Sequence, residues 1–394
     1  MRKLMGRTGP VPRHLALLAA LGLIVAACGE GDFADENGDA DDTIQDDADV
    51  DDDVDDTEEE AAEEVDVEDA PVSDPPEIDC DPIEEELEEH TINFGIGLAT
   101  NSPQGLSVQF FGDYLEECTD GQLTVELFPD SQIGDDLEMM DGLQTGTLEM
   151  TFPSTSPIVD TVPGLGVFDL PFLMPDAETA DEVLDSEVGD RLLDEFEGTG
   201  LKALNWAENG FRQVTNNVGP IESPEDLEGL NLRVMENEIH VDMWETLGAS
   251  PTAMAFGEVF SALEQGVIDG QENPWVTNVT SNFWEVADYG SETRHVYTPF
   301  IMMIAEDFYN DLPQEFQDVI DEASEEAKHY QRTVSREMDE WAREEFDALG
   351  PEVNVLDDDQ LQEFVDATEE VYDTWAPEIG EDVVDDVLEI VEGS

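Results

Sequence analysis

Apolar and polar residues alternate in short runs from about residue 91 onward, and stretches with helical spacing lie between them. The runs TINFGIG (91–97), LTVELF (123–128) and LEMTF (148–152) have the two-residue period of strands. Helical spacing occurs near 103–118 and again through DLEMMDGLQTG (136–146). This order of elements predicts an α/β lobe that is rich in parallel strands.

A second set of elements begins at about residue 201. Its strand-like runs are LKALNWAE, FRQVTNN and NLRVM, and its helical runs are IHVDMWETLG and GEVFSALEQG. Pro274 disfavours helix at the residue before it, so we expect VIDGQENP to end in a loop. Residues 313–348 form one continuous helical pattern. At 1.5 Å per residue it is about 50 Å long, enough to lie across two lobes.

The first 28 residues have a different pattern. Basic residues precede the apolar run LALLAALGLIVAAC, which is short for a membrane span and has the order of an export signal. The run ends in VAAC and resembles the lipobox of bacterial lipoproteins, which implies cleavage before Cys28 and lipidation of that residue. An ordinary signal peptide with an incidental cysteine is the alternative.

Residues 29–90 are rich in Asp, Glu and Ala and contain almost no aromatic side chains. Such a segment buries too little apolar surface to offset chain entropy, so we expect a disordered acidic tether. Cys80 near its end and Cys118 in the first predicted helix remain after lipidation. Outside the membrane these two cysteines can form a disulfide or stay as free thiols, and the sequence leaves both open.

The charge balance restricts the partners of the protein. The 394 residues include 102 acidic and 13 basic side chains, which gives a formal net charge of −89. The summed field repels phosphate, so nucleic acid and anionic lipid are excluded as attractive surfaces. Self-repulsion of this size is tolerated where concentrated salt screens it, which predicts a halophilic host.

Nine basic residues remain once the predicted signal peptide is removed. Arg212 and Arg233 interrupt the strand-like runs FRQVT and LNLRV. A structural ion pair is one interpretation of such an arginine. The other is that Arg233 binds a ligand carboxylate through its planar set of donors. Four further bases lie on the long helix, where we expect a solvated face of ion pairs; they are Lys328, Arg332, Arg336 and Arg343.

Four stretches of the chain resemble a known family. GFRQVTNN, SPEDLEGLNLRVMENEIH, LGASPTAMAFGEVFSALEQGVIDGQENPW and EVADYGSETRHVYTP are similar to DctP-type substrate-binding proteins of tripartite ATP-independent periplasmic (TRAP) transporters. The resemblance implies a substrate-binding domain over 91–394 with a two-lobed, periplasmic-binding-protein-like (type II) α/β fold and a long helix bracing both lobes. Lobe 1 would comprise about 91–210 and 298–345, and lobe 2 about 211–297 and 346–394.

The resemblance also implies a set of ligand contacts. Arg233 matches the arginine that forms a salt bridge with the substrate carboxylate in this family. Arg212 matches the arginine of the FRQxT-like strand, Asn273 matches the asparagine of GQENP, and Phe256 matches the aromatic residue of a PMAF-like motif. Further candidates for selecting which acid fits are Trp206, Glu236, Asn237 and Trp275.

Some positions point away from particular ligands or roles. Gly97 and Ser154 replace a polar residue and a glutamate of the sialic-acid branch of the family, which argues against sialic acid as the ligand. The second acid of GDD survives as Asp136, which we assign to a helix start, where a carboxylate is favoured in any case. For Trp206 and Phe256, ordinary core packing is the alternative to ligand contact.

These features predict an extracytoplasmic receptor, lipid-anchored on the outer face of the cell membrane. It would capture an organic acid between its lobes and deliver it to the membrane permease subunits of a TRAP transporter, with no cofactor and no metal. A tethered sensor that signals without transport and the receptor of an ATP-driven importer are the alternatives. An enzyme is disfavoured because no serine occupies a strand–turn–helix elbow and the five histidines, including His240, are scattered.

Overall fold

A computed structural model describes residues 70–393, in which the first of two β-sheets has five strands. They are β1 (His90–Gly95), β2 (Leu123–Phe128), β3 (Met150–Thr151), β4 (Leu201–Phe211) and β10 (Tyr297–Ala305), numbered in chain order. The order across the sheet is β2-β1-β3-β10-β4. Strand β1 is parallel to β2 and β3, whereas β10 is antiparallel to β3 and β4.

The second sheet has six strands and forms the centre of the other lobe. They are β5 (Gln213–Asn216), β6 (Asn231–Val234), β7 (Ser250–Ala253), β8 (Gly270–Asn273), β9 (Tyr289–Glu292) and β11 (Glu352–Val355), in the order β11-β9-β5-β8-β6-β7. Strand β5 is antiparallel to both neighbours, and the other pairs are parallel. The predicted two-lobed α/β fold is confirmed, with mixed sheets.

Arg212 is the single residue between β4 and β5, so it lies where the chain passes from the first sheet to the second. Its backbone N–H donates to the carbonyl oxygen of Val296 at 2.9 Å. Val296 belongs to the return segment between β9 and β10. The two crossings are therefore hydrogen-bonded to each other, and the side chain of Arg212 starts from the junction of the lobes.

Helices cover the faces of the sheets. Helix α1 begins after Ser102, whose Oγ accepts from the N–H of Gly105, and α2 begins with a capping box formed by Asp135 and Glu138. The helices are α1 (Pro103–Cys118), α2 (Asp136–Thr145), α3 (Ala177–Leu184), α4 (Glu187–Asp194), α5 (Glu238–Thr246), α6 (Val259–Glu264), α7 (Trp275–Thr280), α8 (Glu306–Asp311), α9 (Gln314–Ala348), α10 (Asp358–Ala367), α11 (Glu369–Ile379) and α12 (Glu381–Gly393).

Helix α9 is the predicted long helix, and its 35 residues brace both lobes. It packs against α1 and β4 of the first lobe and against α7 and β11 of the second. Arg332 and Arg336 form the expected ion pairs, but the expectation of a solvated face is wrong for Arg332. Arg332 is only 6% exposed and bonds Asp181 at 3.0 Å, while Arg336 bonds Asp181 at 2.8 Å and Glu208 at 2.7 Å. These pairs tie α9 to α3 and β4.

Residues 70–89 have no helix or strand, yet they lie against the first lobe. Ile78, Ile83 and Leu87 pack on its core, and Cys80 forms a disulfide with Cys118 at the end of α1. Of the two states that the sequence left open, the disulfide is therefore the one observed. Spaced apolar side chains and this cross-link hold a segment for which the sequence alone predicted a free tether. The predicted signal peptide, Cys28 and the rest of the tether lie outside the described residues.

The C-terminal helices contact both lobes. Helix α11 packs against α5 of the second lobe, and α12 packs against α3 and α4 of the first. Val383, Val384 and Val387 form the buried face of α12. The segment 346–394, which the resemblance would place in lobe 2, is thus shared between the lobes. Within residues 70–393 no helix has both the length and the hydropathy that crossing a membrane requires.

Candidate functional site

A cleft of about 590 Å³, counting its opening to solvent, lies between the two lobes. The first lobe contributes the turn after β1, the start of α2, the segment after β3 and the end of β4. The second contributes the Arg212 crossing, β6, the segment after β7, β8 and α7. The residues that carry its chemistry are Asp135, Asp136, Ser154, Asn209, Arg212, Arg233, Glu236, Phe256, Asn273 and Thr277.

Arg233 lies on β6 at the wall of the cleft and is 2% exposed. Its Nε and Nη2 both donate to the carbonyl oxygen of Met254, at 2.9 and 2.6 Å. Its Nη1 is buried and has no hydrogen-bond partner among the described residues. Burial lowers the pKa of Arg233 to about 10, so the guanidinium stays charged at neutral pH. The Nη1 group of this charged side chain is therefore available to donate to an acceptor that enters the cleft.

Arg212 is fully buried, and Glu272 on β8 neutralises its charge. Its Nε and Nη2 both donate to the Glu272 carboxylate, and its Nη1 has no partner in the described part of the chain. Burial alone would raise the pKa of Glu272, but the Arg212 guanidinium and a hydrogen bond with His295 hold that pKa well below its usual range. Arg212 is thus a structural ion pair that also lines the cleft and has one unpaired nitrogen among the described residues.

Asn273 lies at the end of β8 beside Arg212. Its Oδ1 accepts from Nη2 of Arg212 at 3.1 Å, and its Nδ2 donates to Oε1 of Gln271 at 2.6 Å. A primary amide has two N–H donors, so one remains on Nδ2. Phe256 lines the cleft from a short 3-10 turn and packs edge-on against Phe283, with ring centroids 5.9 Å apart.

Asp136 lines the cleft, although the sequence analysis assigned it only to a helix start. The cap of α2 is Asp135, whose Oδ1 accepts from the N–H of Glu138 at 2.9 Å. Asp136 is the next residue, and its Oδ2 accepts from the N–H of Ser154 at 3.1 Å. Burial, the Asp135 carboxylate and other neighbours raise the pKa of Asp136 to about 7. Local capping rules could not separate these two aspartates.

Among the neutral polar residues of the cleft that the sequence analysis missed are Asn209 and Thr277. Asn209 lies near the end of β4 and is 7% exposed, and Thr277 lies on α7 with its Oγ1 buried and unpaired among residues 70–393. Neither belongs to a recognisable motif. Their presence in the cleft depends on how the lobes meet, which no local pattern reports.

Three of the predicted ligand contacts are not among the residues that line this cleft. Trp206 is a core residue that packs on Phe168 and donates from Nε1 to the carbonyl oxygen of Gly189. Trp275 points away from the cleft and packs on Phe346. Asn237 caps α5 through its Oδ1, and its Nδ2 donates to Ser156 and Asp169. The strand position of Trp206, the capping position of Asn237 and the helix-start position of Trp275 place these side chains outside the cleft.

His240 and Ser156 both hydrogen-bond to Asp169, but the arrangement is not that of a hydrolase triad. All three residues have no exposed surface, and Ser156 donates to Asp169 instead of to the histidine. A nucleophilic serine needs its base within hydrogen-bond reach and access to substrate. The described residues also contain no cluster of three or more His, Cys, Asp or Glu that could hold a metal ion.

Comparison with known proteins identifies relatives over most of the chain. Residues 94–378 match the model of the bacterial extracellular solute-binding protein family 7, DctP. A solute-binding protein of Verminephrobacter eiseniae is 35% identical over 297 residues, covering 75% of this chain and 88% of that protein. The sugar acid binding protein DctPAm from Advenella mimigardefordensis, in complex with galactonate, superposes with a TM-score of 0.77 at 35% identity, covering 78% and 99% of the two chains.

A second solved structure has a different kind of ligand. A TRAP periplasmic solute binding protein from Sulfurospirillum deleyianum with bound succinate superposes with a TM-score of 0.75 at 31% identity, covering 77% of this chain and all of that one. The family match extends over well over half of the sequence and includes α9 and both sheets apart from the first residues of β1. The chain therefore belongs to the bacterial extracellular solute-binding protein family 7, the DctP family.

Proposed function

We propose that the protein is an extracytoplasmic receptor that captures an organic acid in the cleft and delivers it to a TRAP-type membrane permease. The observation that carries this is the pair of unpaired Nη1 groups, on Arg212 and Arg233, in one cleft between two lobes. Buried N–H groups without partners are uncommon in native proteins, and a carboxylate is the ligand that guanidinium donors fit best. Relatives with bound galactonate and succinate support a carboxylate ligand.

In this proposal the cleft binds its ligand without changing it. The ligand carboxylate accepts from Nη1 of Arg233 and from Nη1 of Arg212, and the remaining N–H of Asn273 donates to a neighbouring oxygen. Phe256 covers an apolar part of the ligand, and Glu236 at the exposed rim influences which acid enters. Closure of the lobes removes water, which strengthens these charged hydrogen bonds because the local dielectric falls. The ligand favours the closed form only through its higher affinity for that form.

We further propose that the receptor is exported and held on the membrane by lipidation of Cys28, with the acidic segment as its tether. The host would be halophilic, because an excess of acidic charge of this size needs salt to screen it. Cys28→Ser should move the protein from the membrane fraction to the soluble extracytoplasmic fraction. An unchanged distribution would refute lipid anchoring while leaving the binding proposal in place.

The binding proposal is tested by thermal shift measurements on the full chain in molar salt against a panel of organic acids. We expect one class of carboxylates to raise the Tm of the parent and to lose that effect in Arg233→Gln, because only bound ligand adds stability. Arg191→Gln removes an arginine from an exposed pair with Asp386 and serves as the matched control. The proposal is wrong if no acid shifts the parent, or if Arg233→Gln responds as the control does.

A further inference from the structure

The charges in the cleft are unevenly distributed, and this constrains how many carboxylates a ligand can carry. Among the described residues that line it, the basic ones are Arg212 and Arg233. Glu272 already compensates Arg212, so Arg233 supplies the one uncompensated positive charge. The acidic lining residues are Asp135, Asp136 and Glu236. Beyond the carboxylate that Arg233 binds, a second carboxylate would face negative charge with no cation to pair with.

Asp136 is the acidic residue placed to contact a ligand. One of its oxygens, Oδ2, is occupied by the N–H of Ser154, whereas Oδ1 has no hydrogen-bond partner within residues 70–393. Gly97 faces that oxygen, and a Cβ at Gly97 would lie 3.7 Å from it. The absence of a side chain at Gly97 therefore leaves space beside Oδ1. Arg233 is close enough to influence the ionisation of Asp136, so both act on neighbouring parts of one ligand.

Two neutral polar groups in the cleft are also available to hydrogen-bond a ligand. The buried Oγ1 of Thr277 is unpaired in the described residues, and Asn209 also lines the cleft with its side-chain amide. Hydroxyl and amide groups donate to and accept from alcohols equally well. The cleft thus combines one place for an anion with several acceptors and donors suited to hydroxyl groups.

Resting on the proposed function, we propose that the ligand is a monocarboxylate with several hydroxyl groups, of the sugar-acid class, and that Asp136 accepts a hydrogen bond from one of those hydroxyls. Dicarboxylates are rejected because their second carboxylate has no cation and meets Asp136. A site built to hydrogen-bond a hydroxyl also rejects analogues that lack it, since its own acceptor is then left unpaired. Asp136 is on this basis a specificity-determining residue.

Calorimetric titration of the full chain in molar salt at pH 8 tests the proposal with four probes. They are galactonate, succinate, malate as a hydroxylated dicarboxylate, and galactitol as a polyol without a carboxylate. We expect galactonate to bind at least about tenfold more tightly than succinate or malate, and galactitol not to bind. Malate separates the effect of the second carboxylate from the effect of a missing hydroxyl.

Two variants assign the selectivity to Asp136. Asp136→Asn keeps the shape and removes the charge, and we expect galactonate to bind roughly tenfold more weakly and the two dicarboxylates to bind more tightly. Asp141→Asn, on the exposed side of the same helix, is the matched control and should keep the parent's order of affinities. The thermal transition without ligand shows that each variant is folded.

The outcomes separate this inference from the function on which it rests. Succinate binding the parent as tightly as galactonate, with loss of binding in Arg233→Gln, would overturn the inference and leave the carboxylate receptor intact. An unchanged ratio of affinities in Asp136→Asn would overturn the role of that residue. If none of the four probes nor any acid of the wider panel binds the parent, the proposed function itself fails.

Discussion

Replacing Glu272 by glutamine keeps the shape of the side chain and removes the charge that Arg212 faces. Both residues have no exposed surface, and two donors of the guanidinium are committed to this carboxylate. His295 shares the same carboxylate, with its Nε2 3.0 Å from Oε2. Burial lowers the pKa of His295 despite that hydrogen bond, so the imidazole is neutral, and in neither protonation state does it carry a negative charge that could compensate Arg212. Glu272→Gln therefore leaves an unpaired cation in the interior.

The size of the effect follows from the burial of the pair. Removing one partner of a buried ion pair costs about 3–5 kcal/mol, because the remaining charge is neither solvated nor paired. For a folded unit of roughly 300 residues, the unfolding entropy converts 1 kcal/mol into about 1.5 °C of Tm. Glu272→Gln should therefore lower the Tm by about 5–8 °C. Glu264→Gln, an exposed position in the same lobe, should stay within about 0.5 kcal/mol of the parent.

Urea unfolding in molar salt, followed by tryptophan fluorescence, measures these differences. A double-mutant cycle is completed by Arg212→Gln and by the double variant that combines it with Glu272→Gln. We expect the double variant to lose much less than the sum of the two single losses, since neither charge is then left alone. Additive losses, or a loss below about 1 kcal/mol for Glu272→Gln, would refute the view that Glu272 neutralises Arg212.

Further predictions concern the disulfide, a close backbone contact and pH. Replacing Cys80 and Cys118 by serine opens a cross-link spanning 38 positions and should cost about 4 kcal/mol, measured by urea unfolding. Gly105→Ala should cost about 2–3 kcal/mol, because its Cβ would lie 2.4 Å from the carbonyl oxygen of Thr100. Asp136→Asn should gain free energy of unfolding relative to the parent as the pH rises from 4 to 8, by an amount on the order of 1 kcal/mol that is seen as a rise in relative Tm.

The sign of the last prediction follows from the raised pKa of Asp136, about 7 in the folded protein against 3.8 ordinarily. Between these values the folded state keeps a proton that the unfolded state has released, so the parent loses stability as the pH rises and asparagine does not. A Tm difference that is constant with pH would contradict the prediction.

Gly219→Ala, with nothing within 4 Å of its Cβ, is the control for Gly105→Ala and should be neutral. Equal unfolding midpoints for oxidised and reduced parent would contradict the stabilising role of the disulfide.

Local patterns in the sequence predicted the elements of the fold well, because the signals that define them lie within a few residues of each other. The helical spacing of 313–348 became α9, and the alternation of LTVELF became β2. The strand predicted over LEMTF is shorter, since β3 pairs only over Met150–Thr151 before the chain turns into the cleft. Resemblance to the family then supplied the two-lobed arrangement that periodicity does not report.

Side-chain roles in the cleft were predicted in part. Arg233 stands out because it interrupts an apolar strand, whereas Asn273 was singled out only through the resemblance to the family; both line the cleft. Trp206 also lies on a strand and was also a candidate ligand contact, yet it packs in the core on Phe168. Which face of a strand meets the other lobe depends on the pairing of strands far apart in the chain, so spacing alone could not separate these cases.

The sequence by itself determined the acidic surface, the helical and strand segments, and the scarcity of bases that singles out Arg212 and Arg233. Only the tertiary structure decided how those arginines are used. It brings Glu272 to Arg212 across 60 residues, leaves one nitrogen of each guanidinium unpaired, and turns Asp136 into the cleft while Asp135 caps the helix. The physical reason is that hydrogen-bond commitment and desolvation are set by neighbours in space, which the order of residues along the chain does not specify.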